Sequence, residues 1–215
     1  MPWLVRGVIA ISIASAIILS MLTPLGDYLE SSLTLHMIVQ HFLYIAAGFL
    51  IAYGLDSMLF VASRFHDKVA EVYRLLLNAN SVFNKWGIVT FVAGSLLTAY
   101  WYLPANFDAA VLNGMVHFEM HITLLFAGSL VYGGSRALKK MARQIAPIIV
   151  GKAMGLFGAI LLLTPTYIYS VYPAYEQAEA GVVMEVLMLA LDLTVLPIWL
   201  YNYFGRGPVS LERQP

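Results

Sequence analysis

The chain has 215 residues, of which 60% are hydrophobic and 11% charged. An average soluble domain carries about 25% charged residues, so a mean hydropathy of +0.79 excludes an ordinary water-soluble domain, and disorder is excluded because it needs low hydrophobicity and high charge. Twelve Lys and Arg balance twelve Asp and Glu, no basic patch interleaves with aromatics, and cysteine is absent; this argues against nucleic-acid partners and removes disulfides, thiolate metal sites and cysteine nucleophiles.

Several apolar runs exceed the roughly 18 residues that cross ~30 Å of hydrocarbon. Read between polar breaks, they give six expected spans: Trp3–Met21, Leu33–Leu55, Trp86–Leu103, Ala110–Gly133, Ile145–Tyr172 and Gly181–Phe204. The first is read as a retained helix and not a signal peptide, because its small residues Ala14-Ser15-Ala16 lie inside the run and no cleavage-like site follows it. Pro165 in the fifth and Pro197 in the sixth are expected to kink them, since proline removes a backbone donor and clashes with the preceding turn. The expected fold is an all-α transmembrane bundle forming one domain over 1–205, with a tail over 206–215. The long connection 56–85 carries a Val69/Val72/Tyr73/Leu76 pattern that reads as an amphipathic helix.

Charge sorts the connections. Arg64, Lys68, Arg74 and Lys85 lie between spans two and three; Arg136, Lys139, Lys140 and Arg143 between four and five, with Lys152 a little further on. Arg206 and Arg213 follow span six, and Arg6 opens span one. The alternate connections hold Asp27, Glu30, Asp108, Glu176 and Glu179 and no basic residue. Positively charged loops stay inside, so both termini are expected on the cytoplasmic side of the plasma membrane.

Four histidines then fall in the outer half of two spans. His36 and His41 open span two in Leu-His-Met-Ile-Val-Gln-His, and His117 and His121 open span four in Val-His-Phe-Glu-Met-His. Both spans enter from the outer side, so the pairs are level, the second His of each pair about 6–8 Å deeper than the first by helical rise. His117 and His121 are i and i+4 and share a face. On α-helical geometry His36 and His41, at i and i+5, are about 140° apart and cannot point equally well at one centre. His66, in the cytoplasmic connection, is read as solvated. Ionisable groups in lipid are costly and default to function, so metal ligation is the leading reading of the cluster, with a proton relay or a structural polar cluster as its rivals. Imidazole suits copper, zinc, iron and nickel, and thioether favours Cu(I). Met37, Met115, Met120 and Met184 lie near the same level, which leans towards copper. The metal-site residues are therefore His36, His41, His117 and His121, with Met37 auxiliary. Haem b is the alternative cofactor, held by one histidine from each helix.

Glu119, Glu185 and Asp192 are the carboxylates within the spans. They read as acceptors for histidine N–H groups, as a proton path, or as helix–helix hydrogen bonds. Asp108, Glu176 and Glu179 would raise the local cation concentration at the site's mouth. Nucleophile elbows, phosphate loops and dinucleotide fingerprints are missing, and His117-x-x-x-His121 has its glutamate one position late for a zinc protease. No catalytic residue is assigned; a membrane metalloenzyme using the same cluster, with Glu185 or Asp192 as base, is a further alternative.

Three segments resemble the CtaG-like family, the assembly factors of caa-type cytochrome c oxidases. His36-Met37-Ile38-Val39-Gln40-His41-Phe42-Leu43 is similar to its His-Met-x-x-Gln-His-Leu-Leu segment. Phe107-Asp108-Ala109-Ala110 with Val116-His117-Phe118-Glu119-Met120-His121 resembles its Phe-Asp-Ala-Ala…Leu-His-x-x-Glu-His segment, although there Glu immediately precedes the second His and here Met120 intervenes. Val171-Tyr172-Pro173-Ala174-Tyr175 resembles its Leu-Tyr-Pro-x-Tyr turn. The matches run in order from span two to span six, and the chain is shorter than usual members, as in a short archaeal branch. The resemblance implies help in building a haem–copper respiratory oxidase through handling of copper at its outward sites. The expected partners are the lipid bilayer and subunits of that oxidase or another membrane complex.

Overall fold

The computed structural model describes residues 2–84, 86–164 and 166–204. Among them the only regular structure is helical. The helices are α1 (Pro2–Met21), α2 (Pro24–Glu30), a π-helical turn (Leu35–Gln40) leading into α3 (His41–Ala62), α4 (Asp67–Phe83), α5 (Ile88–Tyr102), α6 (Pro104–Leu112), α7 (Gly114–Ala137), α8 (Lys140–Leu163) and α9 (Ala174–Phe204). Among the described residues, five stretches are long and apolar enough to cross a membrane: α1, the π-turn with α3, α7, α8 and α9; a sixth arises if α4 and α5, bent by 82°, are taken together. The all-α, polytopic expectation is borne out. Large apolar side chains such as Val5, Ile9, Leu19, Val89, Leu96, Leu193 and Ile198 stay exposed, which water would penalise and lipid accepts.

Several boundaries differ from the sequence reading, each for a local reason. The expected third span is only the 15 residues of α5, about 22 Å at 1.5 Å per residue. The expected fourth span, from Ala110, is two helices: α6 ends at Leu112, and Asn113 caps α7 by accepting from the Met115 and Val116 amides at 2.9 and 3.4 Å. Its side chain satisfies donors that a helix start leaves unpaired. The expected fifth span stops at Leu163, and 166–173 form a loop folded back on polar partners. The kink expected at Pro165, the basic Lys85, Arg206 and Arg213, and the expected tail lie outside the described residues. A helix over Asp67–Phe83 does occupy the long connection.

The chain divides into two compact units, Met1–Leu138 with Thr166–Gln177, and Lys139–Pro165 with Ala178–Pro215. In the first, α3 packs against α1 and α7. Bare backbone sets the α3–α7 distance: a Cβ at Gly48 would lie 1.9 Å from the Leu125 carbonyl oxygen, and one at Gly128 2.0 Å from that of Ile45. Small residues allow such approach where no hydrophobic drive exists between lipid-embedded helices. The pairs His36 with His117, Tyr44 with His121, Phe49 with Tyr132 and Asp56 with Arg136 rise together in number, so α3 and α7 run in the same direction. Gly87 holds a positive φ of 72° in the turn between α4 and α5, a conformation cheap only for glycine. Beside it the buried Asn84 donates to Thr90 Oγ1 at 2.7 Å and accepts from the Thr90 amide at 3.3 Å.

In the second unit, Gly151, Gly155 and Gly158 of α8 face Leu191, Met188, Met184 and Gly181 of α9. Lys152 and Asp192 form an ion pair across these two helices. Lys152 thus lies in the body of a helix, inside the expected fifth span, and Asp192 takes the helix–helix alternative, as an ion pair. A charge within an apolar helix is tolerated when a partner neutralises it.

Candidate metal centre

The π-helical turn decides the geometry of the site. Its i→i+5 pattern, with the His41 amide donating to the His36 carbonyl, accommodates one extra residue in a helical turn. Residue i+5 then sits over residue i. His36 and His41 therefore face the same region, their ring centroids 5.5 Å apart and edge to face at 82°. The 140° divergence expected from α-helical spacing is overturned, because that stretch is not α-helical. The wider turn is held by side chains: Tyr102 donates to the Met37 carbonyl at 2.8 Å, and Gln40 donates to Glu30 Oε1 at 3.0 Å.

On α7 the Asn113 cap fixes the phase of His117 and His121, whose rings lie 4.3 Å apart. The close α3–α7 approach brings the two pairs together. His36 and His117 are 5.2 Å apart by ring centroid, and His121 stacks on Tyr44 at 4.0 Å and 16°. One ring nitrogen each from His36, His117 and His121 fall within 4.8 Å of one another. A tetrahedral ion with bonds of about 2.0–2.1 Å needs nitrogens roughly 3.4 Å apart, so small side-chain rotations would complete the set. His41 is fully buried beside them, 5.8 Å from the Phe107 ring and 5.5 Å from that of Tyr102.

The chemistry of the donors fits a cation that prefers imidazole. His36 Nε2, both nitrogens of His41, His117 Nε2 and His121 Nε2 are buried with no hydrogen-bond partner among the described residues. Buried polar atoms are nearly always satisfied by protein or water, and these five nitrogens share one cluster whose lone pairs a cation could take. His117 Nε2 also lies 3.4 Å from Glu30 Oε1, an ion-pair distance but not good hydrogen-bond geometry. Met37 is fully buried on the π-turn. Met120 is buried in the apolar core with Tyr44, Trp101 and Leu124, Met115 is exposed, and Met184 packs against Gly158 in the second unit. Glu119 is exposed on another face of α7, and His66 is exposed ahead of α4.

Sequence reasoning missed the groups that frame the cluster. Glu30 counted only as a charge in a connection, yet its carboxylate meets Gln40 and His117. Tyr172 was expected at the end of a span; it sits in the 166–173 loop, its hydroxyl 3.0 Å from His36 Nδ1 and donating to the Glu30 carbonyl at 2.9 Å. Burial, followed by the nearby Glu30 and Glu176 carboxylates, pushes that phenol well above its usual range, so it keeps its proton. The acidic residues expected at the mouth are partly structural. Asp108 accepts from the Ser170 amide and hydroxyl at 2.9 and 2.6 Å, and Glu176 accepts from the Leu33 amide at 2.8 Å. These bonds clamp the loop over the π-turn. Tyr169 adds a third tie by donating to the Tyr102 carbonyl at 2.6 Å. A coevolving pair or an invariant tyrosine would have been the signal; a single sequence holds neither.

The model of the cytochrome c oxidase caa3 assembly factor family matches residues 11–204, which span both histidine pairs and the 166–173 loop. Comparison with curated proteins and with solved structures gives no match. A polytopic helical protein matched over nearly all of its length by that family belongs to it: the chain is a member of the cytochrome c oxidase caa3 assembly factor family.

Proposed function

We propose that this assembly factor handles copper, holding one ion on His36, His117 and His121 with His41 and the Met37 thioether as auxiliary ligands, and passing it to a subunit of a haem–copper respiratory oxidase. The observation that carries the reading is the convergence of ring nitrogens from two helices within 4.8 Å. Copper is favoured because imidazole suits it, thioether favours Cu(I) and Met37 stands on the same π-turn as His36, with no cysteine in the chain to compete. Transfer requires only stepwise exchange of these ligands for those of the acceptor, so no chemical turnover is involved. In this reading the plasma membrane holds the chain, with the histidines towards the extracytoplasmic side where Glu30, Glu176 and Asp108 draw cations in.

The separations of 4.3–5.5 Å between neighbouring imidazoles favour an ion over haem b, because a porphyrin needs its own slot between axial ligands. Asp192 is a poor general base for a metalloenzyme while paired with Lys152. The test is elemental and optical analysis of detergent-purified protein beside a variant with His36, His41, His117 and His121 all changed to Ala. Copper near one equivalent in the native protein, and its loss from the variant with helical content kept, is expected. Equal copper in both samples, or a Soret band in the native protein, overturns the proposal.

A further inference from the structure

We infer that Tyr172 is a positioning residue that fixes His36 in the Nδ1–H tautomer and so aims the bare Nε2 lone pair into the imidazole cluster. The inference deepens the reading of that cluster as a metal site and rests on it for its consequence, though not for its geometry. The argument is a count of protons. The Tyr172 hydroxyl has one proton and two close neighbours, the Glu30 main-chain carbonyl at 2.9 Å and His36 Nδ1 at 3.0 Å. A carbonyl can only accept. The hydroxyl proton therefore goes to Glu30, and the phenol oxygen accepts from His36, which places the imidazole proton on Nδ1.

The other end of the ring agrees. His36 is 1% exposed, and its Nε2 has no hydrogen-bond partner among the described residues. A proton there would be a buried donor without an acceptor, which is the costlier arrangement; a lone pair there is what a cation needs. The nitrogen opposite a metal bond is commonly held by an outer acceptor, which sets tautomer and ring direction together. Here that acceptor comes from a loop 136 residues away in sequence. Asp108, through Ser170, and Glu176, through Leu33, tie the same loop down, so the phenol is placed by the fold and not by its own rotamer alone.

The test uses full-length, metal-free protein in detergent, labelled with ¹⁵N at histidine. Long-range proton–nitrogen correlation reports which ring nitrogen carries the proton, and His36→Gln identifies the His36 signals. The native protein is expected to show His36 protonated at Nδ1 alone. Tyr172→Phe is expected to release it into a mixture of tautomers and to weaken Cu(I) binding about ten- to a hundred-fold. Tyr167→Phe, which changes an exposed tyrosine of the same loop, is expected to leave the His36 signals unchanged. Native His36 protonated at Nε2, or a His36 spectrum and a Cu(I) affinity both untouched by a folded Tyr172→Phe, overturns the inference. Should the native protein bind no copper while His36 still shows the Nδ1–H form lost in Tyr172→Phe, the positioning stands and the copper reading alone falls.

Discussion

Glu30 does two things through two different atoms. Its main-chain carbonyl takes the Tyr172 proton, and its carboxylate takes the Gln40 amide and faces His117. The two roles separate by substitution. Glu30→Ala leaves Gln40, 1% exposed and with its Oε1 already unpartnered among the described residues, without an acceptor for its amide protons. An unsatisfied buried group of this kind costs about 1–3 kcal/mol. Glu30→Gln keeps an amide oxygen able to accept from Gln40 but removes the charge. Thermal unfolding is therefore expected to drop for Glu30→Ala and to change little for Glu30→Gln. Competition titration with a Cu(I) chelator should show both weakened about ten-fold or more, as for outer groups of other metal sites. A Glu30→Gln protein with native affinity would show that the carboxylate serves only the fold.

At the scale of elements, the site exists because α3 and α7 touch through Gly48 and Gly128. A methyl group at Gly48 would meet a backbone oxygen at 1.9 Å, and backbone cannot rotate aside. Gly48→Ala is expected to push the helices apart, cost about 1–3 kcal/mol as overpacking does, and lower copper affinity with the histidines all intact. Gly114→Ala is the control: nothing lies within 4 Å of its added Cβ, and at the first position of α7 it is expected to leave stability and copper affinity little changed. Calorimetry and copper titration on the pair check both statements. The same element shows what a sequence can and cannot yield. The spans, the level histidine pairs and the shared face of His117 and His121 are legible because apolar length and a 3.6-residue period are local properties. The facing of His36 and His41 was not, because a π-turn breaks the period that the reading assumed. It makes His36-x-x-x-x-His41 equivalent to His117-x-x-x-His121 with one residue absorbed. Glu30 and Tyr172 were illegible for another reason: they reach the cluster from two connections 142 residues apart, and hydropathy has no signal for a loop that folds back on a helix start. Lys152 and Asp192 were visible as charges, but their pairing depends on how α8 and α9 pack.

Across the larger unit, the basic residues gather at one end. Trp3 and Arg64 meet at Phe60, Arg6 lies over Trp3, Phe60 lies near Tyr73, and Arg136 joins Tyr73 and Asp56. That end gathers the basic residues of α1, of the α3–α4 connection and of the end of α7. The opposite end holds Glu30, Asp108, Glu176 and the four clustered histidines. Parallel α3 and α7 make this a property of the packed unit and not only of the loop sequences. Since basic connections stay on the cytoplasmic side, the histidine end is expected to face outward, and copper would reach it without crossing the bilayer. The absence of cysteine from the chain makes the orientation directly measurable. Ser31→Cys lies at the histidine end and Ser81→Cys near the end of α4, both at exposed positions. A membrane-impermeant maleimide added to intact cells is expected to label the Ser31→Cys protein and to reach the Ser81→Cys protein only after lysis. The reverse pattern would place the imidazoles on the cytoplasmic side, and a donor of copper to outward oxidase sites could not then work by simple ligand exchange at this cluster.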